Sequence, residues 1–187
     1  YRKKTGLYML RGACYVVICY AFVGYCYELL TLYETKPLSK PVLCSSPENW
    51  SFLVSIDEYI LLNPIDCQSL VEPIYRVSDF QIVATFDTLI SVQHLAWIDV
   101  INSATWILIV AVLELEVAVF SKREFSRTIL NMFLIIKFSL YLILFLAAIY
   151  WGVAGDFLDF WDAVLWLFAF IFIEMNVLRW GAPLSTK

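Results

Sequence analysis

Long, almost uninterrupted apolar runs alternate with short polar connections along this chain, and those runs set its architecture. A helix that crosses ~30 Å of hydrocarbon at a rise of 1.5 Å per residue needs about 20 mostly apolar residues. Four stretches qualify. Residues 12–33 carry Glu28 as their only charge, and residues 104–120 follow a polar-flecked helical stretch that starts near Asp87. Residues 128–153 are interrupted only by Lys137, and residues 160–180 carry Asp162, Glu174 and Arg179. The first run lacks the short core and small-residue cleavage site of a secretory signal, so it reads as a span.

The connection at 35–86 has a different grain. Pro37, Pro41, Pro47, Pro64 and Pro73 exclude a long helix there. Short β-prone runs at 51–56, 59–62 and 80–86 predict a small sheet or hairpin cap. Cys44 and Cys67 are its only cysteines. In an oxidising compartment they form a disulfide staple contributing ~3 kcal/mol by loop closure. Cys14, Cys19 and Cys26 lie in the first span and read as small apolar fillers. Asn49-Trp50-Ser51 matches a glycosylation sequon, meaningful only in a eukaryotic source. The chain thus divides into 1–34 (N-terminus and first helix), 35–86 (cap) and 87–187 (three further spans and a short tail).

Composition turns the pattern into a class. Apolar residues reach 61% and charged residues only 16%, against the usual ~45–50% and ~25%. Mean hydropathy is +0.76. Aromatics at 17%, with seven Trp and eleven Tyr, suit a protein that lines two membrane–water interfaces. Trp97, Trp151, Trp161 and Trp180 read as interfacial anchors. A net charge of −4 argues against nucleic-acid binding. The expected fold is an all-α, multi-pass four-helix membrane bundle with a disulfide-stapled extracytoplasmic cap containing short strands. Arg2, Lys3, Lys4, Arg11, Lys122, Arg123, Arg127, Arg179 and Lys187 fall on one side of it. The positive-inside rule places both termini in the cytoplasm of a bacterial inner membrane or plasma membrane.

Residues 99–117 can be laid over 159–177 at an offset of 60. Asp99, Trp106, Glu114 and Val117 match Asp159, Trp166, Glu174 and Val177, while Asn102 faces Asp162 and Glu116 faces Asn176. At ~100° per residue, Asp99, Asn102, Trp106, Glu114 and Val117 share one stripe and Glu116 points aside. The match suggests a parallel repeat of two-helix hairpins. Counting from the short turns puts Arg11, Glu114, Glu116, Lys137, Glu174 and Asn176 near one depth, an intramembrane polar cluster. Because a charge at mid-membrane costs ~2.5–3.5 kcal/mol, these groups must pair, reach water or line a path. Asp87, Asp99, Asp156, Asp159 and Asp162 read as caps at helix N-termini.

Several chemistries are disfavoured. His94 is the single histidine, so no multi-histidine metal or haem site is available. No G-x-S-x-G elbow and no phosphate-cradling glycine loop occurs. Four spans with outer cysteines invite comparison with the quinone-linked disulfide oxidases, but no C-x-x-C pair is present. The expectation is a non-enzymatic protein without catalytic residues, cofactor or metal. It acts as a subunit or scaffold among membrane lipids, with other membrane subunits or further copies of itself as partners. The alternative is a small oligomeric cation or proton channel or transporter using Glu114, Glu174 and Lys137.

Overall fold

The computed structural model describes the backbone of residues 2–120 and 127–181, and the side chains of 6, 9, 11–118 and 127–172. Most of it is helical. Among the described residues, three helices are long and apolar enough to cross a membrane: Arg11–Tyr33, Phe86–Ala118 and Arg127–Ala154. Residues 122, 123 and 187, and the side chains of residues 2–4, Glu174, Asn176, Arg179 and Trp180, lie outside the described residues. The chain separates into two units, one up to Ser103 and one from Ala104 onward.

In the first unit, helix α1 (Arg2–Tyr33) runs into a cap of five short strands. They are β1 (Thr35–Leu38), β2 (Ser51–Ser55), β3 (Glu58–Leu61), β4 (Ile74–Val77) and β5 (Ile82–Thr85). The spatial order is β1-β4-β5-β2-β3. All pairs are antiparallel except β2 with β5, which is parallel and needs the long crossover through β3 and β4. Two short helices, α2 (Lys40–Cys44) and α3 (Pro64–Ser69), each start with a proline in the first turn, where the missing N–H costs nothing. Asn63 caps α3, accepting from the Ile65 and Asp66 amides at 3.0 and 2.8 Å. The Lys40 ammonium donates to the Gln68 and Leu70 carbonyls beside the end of α3, where orphan carbonyls favour a cation.

The cap's core is Leu43, Leu62, Cys67, Ile74 and Val83, with the Cys44–Cys67 disulfide at its edge. Arg76 stacks over Trp50 at 5.6 Å and donates to the Phe80 carbonyl, closing the turn between β4 and β5. The strands expected at 51–56, 59–62 and 80–86 correspond to β2, β3 and β5. β1 and β4 are additional.

Helix α4 (Phe86–Phe120) has 35 residues, about 52 Å at 1.5 Å each, longer than the ~30 Å hydrocarbon needs. Its early turns belong to the cap unit. Gln93 donates to the Leu32 carbonyl at 2.9 Å, satisfying one of the four orphan acceptors at the end of α1. Trp97 donates to the Tyr33 hydroxyl at 3.1 Å. Because α4 starts at Phe86, Asp99 sits mid-helix with 7% exposure, not at an N-terminus. The capping role expected for it is therefore corrected.

In the second unit, helices α5 (Arg127–Ala154) and α6 (Phe157–Gly181) form a hairpin. Gly155, at φ 92°, supplies the left-handed residue that ends α5, and its amide and that of Asp156 both bond to the Trp151 carbonyl at 3.0 Å. Asp156 then caps α6 by accepting from the Asp159 amide at 3.3 Å, as expected of an acid there. Ile109, Leu140, Leu144 and Leu167 make the core. Gly152 lets the two helices approach closely, since a Cβ there would stand 3.1 Å from the Phe160 ring and require that ring to shift. Trp151 is 4% exposed beside the buried Ala147 and Ala148. Its indole is therefore buried within the chain, not exposed as an interfacial anchor would be. Trp97 and Trp161 are exposed, as anchors would be.

Candidate functional site

Lys137 is the one charge within the apolar run of α5, about 15 Å along that helix. Its ammonium donates to both carboxylate oxygens of Glu116 on α4, at 3.0 and 3.3 Å. Side-chain exposure is only 10% for Lys137 and 24% for Glu116. Lys137 lies ten residues from the start of α5 and Glu116 four residues from the end of α4, and the four-carbon stem spans that difference along the helices. A charge-assisted bond to two oxygens in a low-dielectric setting is the arrangement that makes an intramembrane lysine tolerable.

Glu116 is thus a partner of Lys137, whereas the stripe of the sequence repeat places Glu114 in the foreground. Positions two apart lie ~200° apart around a helix, so the two acids leave α4 in different directions. Glu114 is half-buried. On the same helix Val117 is 66% exposed, so the stripe does not run as one buried face. Its upper part does find partners, since the Phe170 ring lies 4.9 Å from Trp106 and 6.5 Å from its repeat equivalent Trp166. One turn before Trp106, the Asn102 side-chain oxygen is buried without a hydrogen-bond donor among the described residues.

Of the expected polar cluster, Lys137 and Glu116 are in contact. Arg11 is half-buried and belongs to the other unit. The side chains of Glu174 and Asn176 lie outside the described residues. Cys44 and Cys67 form the expected disulfide. Cys14 and Cys19 are exposed and Cys26 is partly so. No group of three His, Cys, Asp or Glu suited to a metal ion occurs among the described residues.

A second feature escaped the sequence reading. The cap end of α1 and the underside of the sheet enclose a cleft of about 420 Å³, with Glu28 and Thr31 on the helix side and Leu53, Ile56, Tyr59 and Phe80 on the cap side. Burial and the negative charges of Glu28 and Asp57 push the Tyr59 phenol above its ordinary pKa. Glu28 as the lone acid of an apolar run was the available signal; the walls facing it come from strands whose pairing no local pattern specifies. Comparison of the chain with protein-family models, with curated proteins and with solved structures returned no match.

Proposed function

We propose that this protein is a non-enzymatic subunit of a larger membrane assembly, docking through α1 in the plane of the bilayer and through its cap outside it. The arrangement proposed with it has α6 as a fourth crossing, both termini in the cytoplasm and the disulfide-stapled cap on the other side. At 25 residues, or about 37 Å, α6 is long enough for that.

The observation that carries the reading is the state of α1. Only 6% of its apolar 18-residue stretch is buried, against 22% and 28% for the corresponding stretches of the other two candidate spans. Lipid alone suffices to cover Val or Leu, but Tyr20 is 80% exposed near the middle of that span, about 13 Å from Arg11 and about 20 Å from Tyr33. A phenol at that depth finds no acceptor among acyl chains, which makes a neighbouring helix the better cover. Gly12, Val16, Cys19, Val23, Cys26 and Leu30 recur in alternate steps of four and three residues, the spacing of a helix-packing seam. A small residue stands at every seventh position of that series, which favours close backbone approach.

The cap offers a matching signal. Edge strand β1 is guarded by Lys36 and Pro37, whereas the opposite edge, β3, has no lysine or proline and exposes Ile60 at 51% and Leu61 at 72%. The Lys137–Glu116 pair supports a structural lock more than a conduction path, because near-balanced charges already hold each other.

Extraction in a mild detergent followed by native mass determination tests the proposal. The wild-type protein should emerge in a discrete complex heavier than one chain, and Tyr20→Phe should shift it toward the single chain. Cation or proton flux in liposomes that Glu114→Gln abolishes, from a protein that stays a single chain, would overturn the proposal in favour of a path.

A further inference from the structure

The cleft between α1 and the cap has a chemical character that selects its occupant. Its walls are mostly apolar, with Leu53 and Ile56 buried at 1% and 5% exposure and Phe80 at the rim. Its volume, about 420 Å³, lies within the range of small-molecule sites. Apart from Tyr27, whose side chain is 68% exposed, the polar side chains that reach it present acceptors. Thr31 donates its hydroxyl hydrogen to the Tyr27 carbonyl at 2.9 Å, and Tyr59 donates its own to the Ile56 carbonyl at 3.1 Å. Each is left presenting an oxygen lone pair. Glu28 adds a half-buried carboxylate, and among the described residues no hydrogen bond or ion pair engages it. The charged neighbour acting on it is another acid, Asp57. A partly buried carboxylate with no bonded partner, set among acceptor oxygens and beside a like charge, is a group in want of a cationic donor.

From this convergence we infer that the cleft is a binding site for an amphiphilic organic ammonium, its N–H groups on Glu28 and its apolar body against Leu53, Ile56 and Phe80. A bare divalent ion fits poorly, since hard cations gather six or more oxygens and these walls are hydrocarbon. An anion is repelled by Glu28 and Asp57. Glu28 lies five residues before the end of α1, about 8 Å along the axis, which places the site where a headgroup meets water and a chain meets lipid. The raised pKa of Tyr59 agrees with a negative potential inside the cleft. The required chemistry occurs both in a lipid with an ethanolamine headgroup and in a free alkylamine. The inference stands independently of the assembly proposed above.

The test uses the full chain in phosphatidylcholine nanodiscs, titrated with n-octylammonium and, as its neutral counterpart, 1-octanol. The ammonium should bind at least tenfold tighter than the alcohol. Glu28→Gln should erase that preference while leaving octanol binding unchanged, and Phe80→Ala should weaken both. Equal binding of the two probes by the wild-type protein would overturn the inference, and this comparison needs no variant to fold. So would a preference that survives Glu28→Gln. Replacing part of the phosphatidylcholine with phosphatidylethanolamine separates the sources. Competition with octylammonium supports the site with a lipid headgroup as occupant, and octylammonium binding without such competition supports it with a free amine.

Discussion

Removing either partner of the Lys137–Glu116 pair should destabilise the fold, whereas removing both should nearly restore it. Lys137→Met leaves the Glu116 carboxylate without the ammonium that stands 3.0 and 3.3 Å from its two oxygens. Breaking a fully buried pair in this way costs about 3–5 kcal/mol. Glu116 keeps 24% of its side-chain surface exposed, so the expected loss sits lower, at about 2–3 kcal/mol. Glu116→Gln retains an acceptor near the ammonium but loses the charge, and about 1–2 kcal/mol is expected. The double variant removes both desolvated charges and should fall within about 1 kcal/mol of wild type, a coupling of at least about 2 kcal/mol. Equilibrium unfolding in mixed micelles, followed by tryptophan fluorescence, gives the four stabilities. If the two single losses simply add, to within about 0.5 kcal/mol, the pair is not an interhelical lock and the reasoning fails.

Three further outcomes follow from the cap. Cys44→Ser with Cys67→Ser should lower its stability by about 3 kcal/mol, because the bridge closes a loop across a sequence separation of 23; proteolysis of the cap with and without reductant reads this directly. Asp79 is held below the usual carboxylate pKa, first by the hydrogen bond from Lys36 at 2.9 Å and then by that lysine's charge. Its contribution is therefore present above the ordinary carboxylate range and lost as pH falls through the lowered value; the NMR midpoint of Asp79 should rise in Lys36→Met and in high salt. Tyr59 is shifted upward, so its contribution is intact below the ordinary phenol value of about 10 and disappears as pH climbs through the raised one. Its phenolate absorbance should appear above that value, and Glu28→Gln should bring the midpoint down.

Much of the fold is legible in the apolar runs. The first three expected spans correspond to α1, α4 and α5, because a helix that must satisfy its backbone inside lipid announces itself by length alone. The cap is legible only in part. β2, β3 and β5 carry β-branched and aromatic runs, whereas β1 reads Thr-Lys-Pro-Leu and is a strand only because Thr35–Leu38 pairs with Ile74–Val77. Tertiary pairing decides such a segment, not local preference. The polar cluster shows a similar limit. That Lys137 needs an acid follows from the cost of burying a charge, but which acid it meets depends on the rotation of α4 against α5. That rotation is set by Ile109, Leu140, Leu144 and Leu167 packing together, and it presents Glu116 to the lysine. Glu28 was visible as an isolated charge, yet its cleft exists only once the strands assemble beneath it.

The most direct measurement places a photo-reactive phenylalanine analogue at position 20 and irradiates the protein in its native membrane. If α1 is a docking helix, illumination should give one discrete adduct of larger mass containing a second transmembrane polypeptide, whether another copy or a different chain. The same analogue at exposed Phe138 on α5 serves as the lipid-facing control. Lipid adducts alone at position 20, indistinguishable from that control, would contradict the account.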